Sequence, residues 1–321
     1  MTTSLTKDPR QSITALRAEV AKVIAGQDAA VTGLLIGLLC RGHILIEGVP
    51  GVAKTLLVRT VATALELKTA RLQFTADLMP ADVTGSLIFD ARNSEFTFRE
   101  GPVFTNLLLG DEINRTPPKT QSALLEAMEE RQVSVEGQPR LLPDPFCVIA
   151  TQNPVEHEGT YPLPEAQLDR FLLKVTMPLP DRDTEFRMLA AHAAGFNPRD
   201  LAAAGVRPVA SAADLSAAAD AVAKLHVAPE ILSYIVELAR ATRSAPATSL
   251  GVSPRGVIAL LAASRAWAWL SGREFVTPDD VKALAPATFR HRIALRPEAE
   301  LEGVTADSVL ASVLASVPAP R

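Results

Sequence analysis

The short apolar run His43-Ile44-Leu45-Ile46-Glu47 leads directly into Gly48-Val49-Pro50-Gly51-Val52-Ala53-Lys54-Thr55, and a helical pattern follows over residues 54–66. A glycine-bounded loop between a buried strand and a helix N-terminus aims successive backbone N–H groups at one point, which suits a phosphate. This order demands an α/β sheet with the loop at the carboxyl edge of a strand. In such a loop Lys54 would reach the β and γ phosphates of a nucleotide, and Thr55 would ligate magnesium. Leu56 closes the stretch expected to surround the nucleotide. Ala53 stands where the usual pattern has a second glycine. A methyl group fits there if φ stays below zero, so the sequence predicts a slightly altered loop with binding retained. An ordinary strand-turn-helix with a chance ending is the competing reading, and it weakens with each downstream partner found.

The alternation continues. Asp8-Pro9 is a helix start, followed by apolar positions at Ile13, Leu16, Val20, Val23 and Ile24 and an end near Gly26; a second apolar helix runs from after Gln27 to about Leu39. Beyond the loop come strands at Ala70–Phe74, Asn106–Gly110, Phe146–Thr151 and Phe171–Val175, a helix at Pro117–Arg131, an irregular segment to Gly85 and a hairpin around Ala91–Ser94. Strands alternating with helices in this order predict a parallel α/β sheet. After about Pro180 apolar residues recur at helical spacing only, over Asp183–Ala194, Ala212–Leu225, Pro229–Arg243, Pro254–Ser271 and Pro278–Leu284. The Ala-rich stretch 201–223 carries leucine and valine at helical spacing and reads as packed helix rather than low complexity. The predicted organisation is an α/β nucleotide-binding core over residues 1–180 and an all-helical domain over residues 181–321, with no internal repeat.

Four further segments carry chemistry. Leu107-Leu108-Leu109-Gly110-Asp111-Glu112 is an apolar strand ending in two carboxylates. Beside a phosphate loop Asp111 would hold the magnesium shell and Glu112 would orient and polarise an attacking water; the plainer reading is a pair capping the next helix. The strand Phe146–Thr151 ends in Gln152-Asn153-Pro154, where Asn153 is placed either to hold the water or the γ phosphate, or to shape a turn before proline. Arg170, in Leu168-Asp169-Arg170-Phe171, precedes a strand and could project toward the nucleotide of a neighbouring subunit. Arg255 sits in the first turn of a helix, where the dipole opposes a cation and so suggests an anionic ligand. For either arginine a surface salt bridge is the competing reading. Glu156-His157-Glu158 holds one histidine between two acids, too little for a structural zinc site, and reads as a solvated loop.

Bulk properties narrow the classes. The chain has 321 residues, 48% of them hydrophobic, enough for two packed domains. A net charge of -4 gives no global basic field for nucleic acid or acidic lipid. Met1–Arg10 lacks the apolar core of a signal peptide, and no apolar run reaches the length of a spanning helix, so a cytoplasmic protein is expected. Cys40 and Cys147 have neither metal-ligand nor redox spacing and read as core fillers.

Together these strings resemble those of MoxR-type AAA+ ATPases, from about Val23 to about Ile293. The resemblance rests on Glu47–Thr55, on Phe74-Thr75-Ala76-Asp77-Leu78-Met79-Pro80-Ala81-Asp82-Val83-Thr84-Gly85, on Asp111-Glu112-Ile113-Asn114-Arg115, on Ala150-Thr151-Gln152-Asn153-Pro154 and on Ser253-Pro254-Arg255. It implies an AAA+ core with a C-terminal helical lid, ATP and Mg2+ as cofactors, and a homo-oligomeric ring, usually a hexamer. Within that ring it implies Arg170 as a finger acting across subunits, Asn153 as sensor 1 and Arg255 as sensor 2. Gly26-Gln27 matches the segment that helps hold adenine, and an alanine at 53 is common in the family. Residues 74–85 resemble an insertion that lines the ring's pore or face, and Gln132–Arg140 resembles a hairpin before sensor 1. Neither has the aromatic-hydrophobic-glycine motif of threading unfoldases. Relatives of this kind are similar to chaperones that assemble or activate protein complexes, often with a partner bearing a von Willebrand factor A domain.

The leading expectation is therefore an ATPase that remodels a protein client. A nucleic-acid-stimulated or chelatase-type motor is the alternative from another class, and the acidic excess between Arg71 and Arg140 argues against nucleic acid. A nucleotide-binding scaffold with little turnover is the third.

Overall fold

The computed structural model describes residues 8–49, 51–135, 137–153 and 160–320. Pro50 and the Glu156-His157-Glu158 string lie outside the described residues.

Helix α1 (Pro9–Ala21) starts where Asp8 accepts a hydrogen bond from the Arg10 N–H, with proline in its first turn. Helix α2 (Asp28–Leu39) is apolar on nearly every side and is buried accordingly. The core continues through β1 (Ile44–Glu47), α3 (Lys54–Ala64), β2 (Thr69–Gln73), α4 (Pro80–Thr84), β3 (Gly85–Asp90), β4 (Glu95–Glu100) and β5 (Leu107–Asp111). It then runs through α5 (Pro118–Glu130), β6 (Gln132–Val135), β7 (Gln138–Leu141), β8 (Cys147–Gln152), α6 (Glu165–Leu168) and β9 (Leu173–Thr176).

Five of these strands form one parallel sheet in the order β2-β5-β8-β1-β9. β1, β5 and β8 are covered on both faces, which is why they read as unbroken apolar runs. Their side chains divide by the two-residue period: Ile44, Ile46, Leu107, Leu109 and Ile149 join one apolar cluster, while Leu45, Leu108, Val148 and Ala150 join the other. The first cluster continues without a break into the C-terminal helices.

Those helices are α7 (Arg182–Ala193), α8 (Ala212–Ala223), α9 (Pro229–Ser244), α10 (Pro254–Leu270), α11 (Pro278–Phe289), α12 (Pro297–Leu301) and α13 (Ala306–Ser316). A two-stranded antiparallel pair, β10 (Thr248–Leu250) with β11 (Ala294–Leu295), interrupts them, so the second half is not wholly helical. Residues 201–205 form turns, 206–211 are irregular, and α8 begins where Ser211 and Asp214 cap each other's backbone. α11 runs through Pro286 to Phe289, beyond its expected end at Leu284. In the 74–85 stretch Pro80 opens a short helix rather than a loop, and Gly85 starts the β3–β4 hairpin that turns at residues 91–94. β6 and β7 form the second hairpin where the sequence places it.

His43 fixes the start of β1 from within the core. Its Nδ1 accepts from the Val148 N–H at 3.0 Å and its Nε2 lies 3.0 Å from the Met128 carbonyl oxygen, so the neutral ring serves both bonds. Burial, aided by the Arg131 charge and opposed by the Met128 bond, holds its pKa down at about 4. The unfolded chain, with an ordinary histidine value, binds the extra proton between these two values, so stability falls as pH drops through this window. Lowering the pH from 7 to 5 is expected to cost about 2 kcal/mol from His43. Denaturant titration of the protein and of a His43→Gln variant at both pH values measures this, and an equal pH loss in both would exclude His43 as its source. Burial likewise pushes the Cys40 and Cys147 thiols up to about 12, as suits unreactive fillers.

Candidate nucleotide site

The carboxyl ends of β1, β8 and β5 lie side by side, and the glycine loop, Asp111-Glu112 and Asn153 gather there. β1 leads into the glycine loop. A Cβ on Gly48 would stand 2.6 Å from the Met177 carbonyl oxygen, so the loop passes β9 at a distance that only glycine allows. Gly51 has φ +89° and Ala53 has φ 65° and ψ 25°. This corrects the expectation that φ at Ala53 stays below zero: the loop must turn into α3 within a few residues, and Ala53 takes the left-handed conformation at a cost of about 1 kcal/mol. Lys54 opens α3 and donates to the Gly48 carbonyl oxygen. Partial burial lowers its pKa, against the pull of Asp111, Glu112 and Glu47. Thr55 follows in the first turn, and Leu56 packs against the core.

At the tip of β5, Asp111 is buried, and Glu112 takes a left-handed φ of 59°. Thr151 on β8 ties the two together: its hydroxyl donates to Asp111 Oδ1 at 3.3 Å and accepts the Glu112 N–H at 3.0 Å. Two side chains of β2 complete the arrangement. Arg71 Nε lies 2.7 Å from Asp111 Oδ2, and Gln73 Nε2 donates to Glu112 Oε2 at 2.9 Å, with Arg115 forming an ion pair to the same oxygen. Arg71, Gln73 and Thr151 are absent from the sequence-based set. Arg71 and Gln73 stand two apart on one strand, hence on one face, and β2 pairs in parallel with β5 so that Gln73 lies opposite Asp111. Asn153 is buried just past β8, between the carboxylates and the loop.

An apolar cleft of about 240 Å3 adjoins the loop. Ala21–Ala25, Gln27, Gly51–Ala53 and Leu56 form one wall, and Pro180, Arg187, Met188, Ala191, His192 and Phe196 the other. Gln27 also donates to the Pro178 carbonyl oxygen, while Gly26 sits behind the lining against Thr184. A largely apolar cleft beside a phosphate loop suits a nucleotide base. The donors present also fit magnesium, which takes few protein oxygens and keeps water and phosphate as its other ligands: a threonine hydroxyl and a buried carboxylate near an ammonium group.

Arg170 and Arg255 are not among the residues lining this cleft. Both pair with Glu129, near the end of α5. The anion that Arg255 demands at its helix N-terminus is thus supplied within the chain.

This geometry can be set beside known proteins. Residues 43–173 match the family model described as the ATPase family associated with various cellular activities, and residues 240–313 match an AAA lid domain. Chaperone MoxR1 of Mycobacterium tuberculosis is 41% identical over 312 residues, covering 94% of this chain and 81% of its own. The chain belongs to the MoxR family of AAA+ ATPases. The Bacillus subtilis protein YeaC is 46% identical over 94% of this chain and 92% of its own. A candidate ATPase of known crystal structure from Cytophaga hutchinsonii superposes with a TM-score of 0.89 at 39% identity, over 98% of this chain and 96% of that one. The AAA+ core here precedes a largely helical lid, in the order of the two family-model matches. No helix among the described residues is long and apolar enough to cross a membrane.

Proposed function

We propose that this MoxR-family protein binds and hydrolyses ATP with magnesium, in an oligomeric ring, and uses the cycle to remodel or activate a protein client. The observation that carries the reading is the convergence of Lys54, Asp111, Glu112 and Asn153 at the ends of neighbouring parallel strands, beside an apolar slot. Thr55 and Asp111 would hold the metal, which when bound supplies charge neutralisation of the β and γ phosphates. The backbone of residues 48–55 and Lys54 bind the phosphates, Glu112 orients the attacking water and Asn153 anchors it from the other side. Arg170 and Arg255, turned to Glu129 rather than the cleft, serve the nucleotide of a neighbouring subunit. The division into a core over residues 1–180 and a lid over residues 181–321 belongs to the same reading.

The client is read as protein. Phe89 and Phe96 are exposed at the end of the β3–β4 hairpin with ring centroids 5.3 Å apart, an apolar tip of the kind that contacts polypeptide. Arg140 of the second hairpin stacks on Phe98 at 4.4 Å, so the two hairpins present one surface. The name of the M. tuberculosis relative supports a chaperone role, and a partner with a von Willebrand factor A domain is part of the proposal.

Phosphate release with Mg-ATP tests the activity. Removal of the Lys54 ammonium in Lys54→Ala is expected to weaken binding of a fluorescent ATP analogue by roughly 10- to 100-fold, the worth of one charge-assisted contact. Unchanged affinity would take Lys54 out of the site. Turnover that rises severalfold with DNA or RNA would replace the protein client with nucleic acid.

A further inference from the structure

Glu129 joins three segments that are distant in sequence. Its Oε2 lies 2.9 Å from Nε of Arg170, between α6 and β9, and its Oε1 accepts from a terminal nitrogen of Arg255, in the first turn of α10. One carboxylate thus serves two guanidinium groups, one oxygen to each, and the trio keeps one net positive charge.

The backbone beneath the two arginines is already fixed. Asp169, directly before Arg170, accepts from the hydroxyl of Ser253 at 2.9 and 3.0 Å, and Ser253 caps α10 two residues before Arg255. Asp169 also takes Arg292 Nε at 2.7 Å. The Arg292 side chain is 2% exposed and donates further to the carbonyl oxygens of Phe171 at 2.6 Å and Leu172 at 3.2 Å. What this platform leaves undetermined is the direction of the two long arginine side chains, and Glu129 sets it. Stability does not explain the arrangement: Arg170, Arg255 and Glu129 are 31%, 47% and 35% exposed, and exposed pairs contribute about 0–1 kcal/mol. The dipole of α10 also disfavours a cation at Arg255, so without Glu129 that side chain would turn elsewhere. Glu129 approaches Arg170 at Nε, on one edge of the guanidinium, and the planar fork of a guanidinium carries further N–H donors with which to meet a second anion.

We propose that Glu129 is a positioning residue that holds Arg170 and Arg255 as a pair, so that both meet the γ phosphate bound by the adjacent subunit. The proposal rests on the reading that these arginines act across a subunit boundary. The excess positive charge of the trio is complementary to that phosphate, and the shared carboxylate removes the repulsion that would splay two unpaired guanidinium groups.

The test uses the full-length protein and its Glu129→Gln variant, which keeps the shape and removes the charge. Turnover is expected to fall roughly 10- to 100-fold, the cost of misplaced catalytic groups, while KM for ATP and the thermal midpoint stay near those of the parent. Glu129→Asp, which keeps the charge on a shorter arm, is expected to recover part of the loss. Mixing Glu129→Gln with Lys54→Ala subunits, whose arginines are intact, is expected to restore turnover as the same mixture does for Arg170→Ala. Unchanged or raised turnover in Glu129→Gln would overturn the proposal, the latter by making the carboxylate a restraint. It also falls if Lys54→Ala subunits rescue Arg170→Ala but not Glu129→Gln. If neither is rescued, the cross-subunit reading itself fails and takes the proposal with it.

Discussion

An Arg170→Ala protein is expected to hydrolyse ATP about 10³-fold more slowly or worse, with ATP binding close to unchanged. The size follows from the charge developed on the transferred phosphoryl group, which a guanidinium at its oxygens stabilises in a site that excludes water. Retention of binding follows from position: the cleft of the same chain is lined by Ala21–Ala25, Gln27, Gly51–Ala53, Leu56 and the wall from Pro180 to Phe196, with Arg170 outside them and paired with Glu129. Loss of the Arg170–Glu129 ion pair, both partners being about a third exposed, adds no more than a small stability change. Phosphate release and binding of a fluorescent ATP analogue separate the two quantities. Mixing with Lys54→Ala subunits then decides where Arg170 acts, because a subunit whose own ATP binding is weakened can still lend its arginine. Recovered turnover in the mixture places Arg170 across the boundary. A variant that loses binding in step with turnover would assign Arg170 to its own nucleotide instead.

The parts of this molecule that were legible in its sequence are those whose physical cause is local. β1, β5 and β8 are buried on both faces and so appear as unbroken apolar runs, and each ends in the residues that its neighbours face: the glycine loop, Asp111-Glu112 and Asn153. Helices with a capping residue and proline at their start, such as α1 and α10, were equally readable. What escaped depends on pairing between distant segments. Arg71 and Gln73 look like ordinary polar residues of an edge strand until β2 lies against β5, and Thr151 looks like a β-branched strand residue until it bridges Asp111 and Glu112. Glu129 reads as a solvated helix residue, since its two partners lie 41 and 126 positions further on. The β10–β11 pair was missed because strands of three and two residues carry no period to detect. The sign of φ at Ala53 was misjudged for a related reason: residue preference weighs about 1 kcal/mol, and a loop fixed at both ends by β1 and α3 overrides it.

Glu112→Gln is expected to retain ATP and to lower its hydrolysis by roughly 10²- to 10⁴-fold, the worth of a positioned general base. The substitution is nearly isosteric, and the local structure that presents the side chain survives it. The left-handed backbone at Glu112 is held through its N–H on the Thr151 hydroxyl, which does not involve the carboxylate. An amide oxygen can still accept from Gln73 Nε2, while the ion pair to Arg115 loses its charge. Asp111, with Arg71 and Thr151 beside it, keeps its own contacts. Affinity for the nucleotide should therefore stay with the loop, Lys54 and the apolar cleft, and the missing element is a carboxylate able to polarise water. Such a variant should also hold client-bound assemblies long enough to be isolated with ATP present, which makes it the means of identifying the client. Phosphate release at the parent rate would remove Glu112 from this role and turn attention to Asp111, the other carboxylate at the same strand tip.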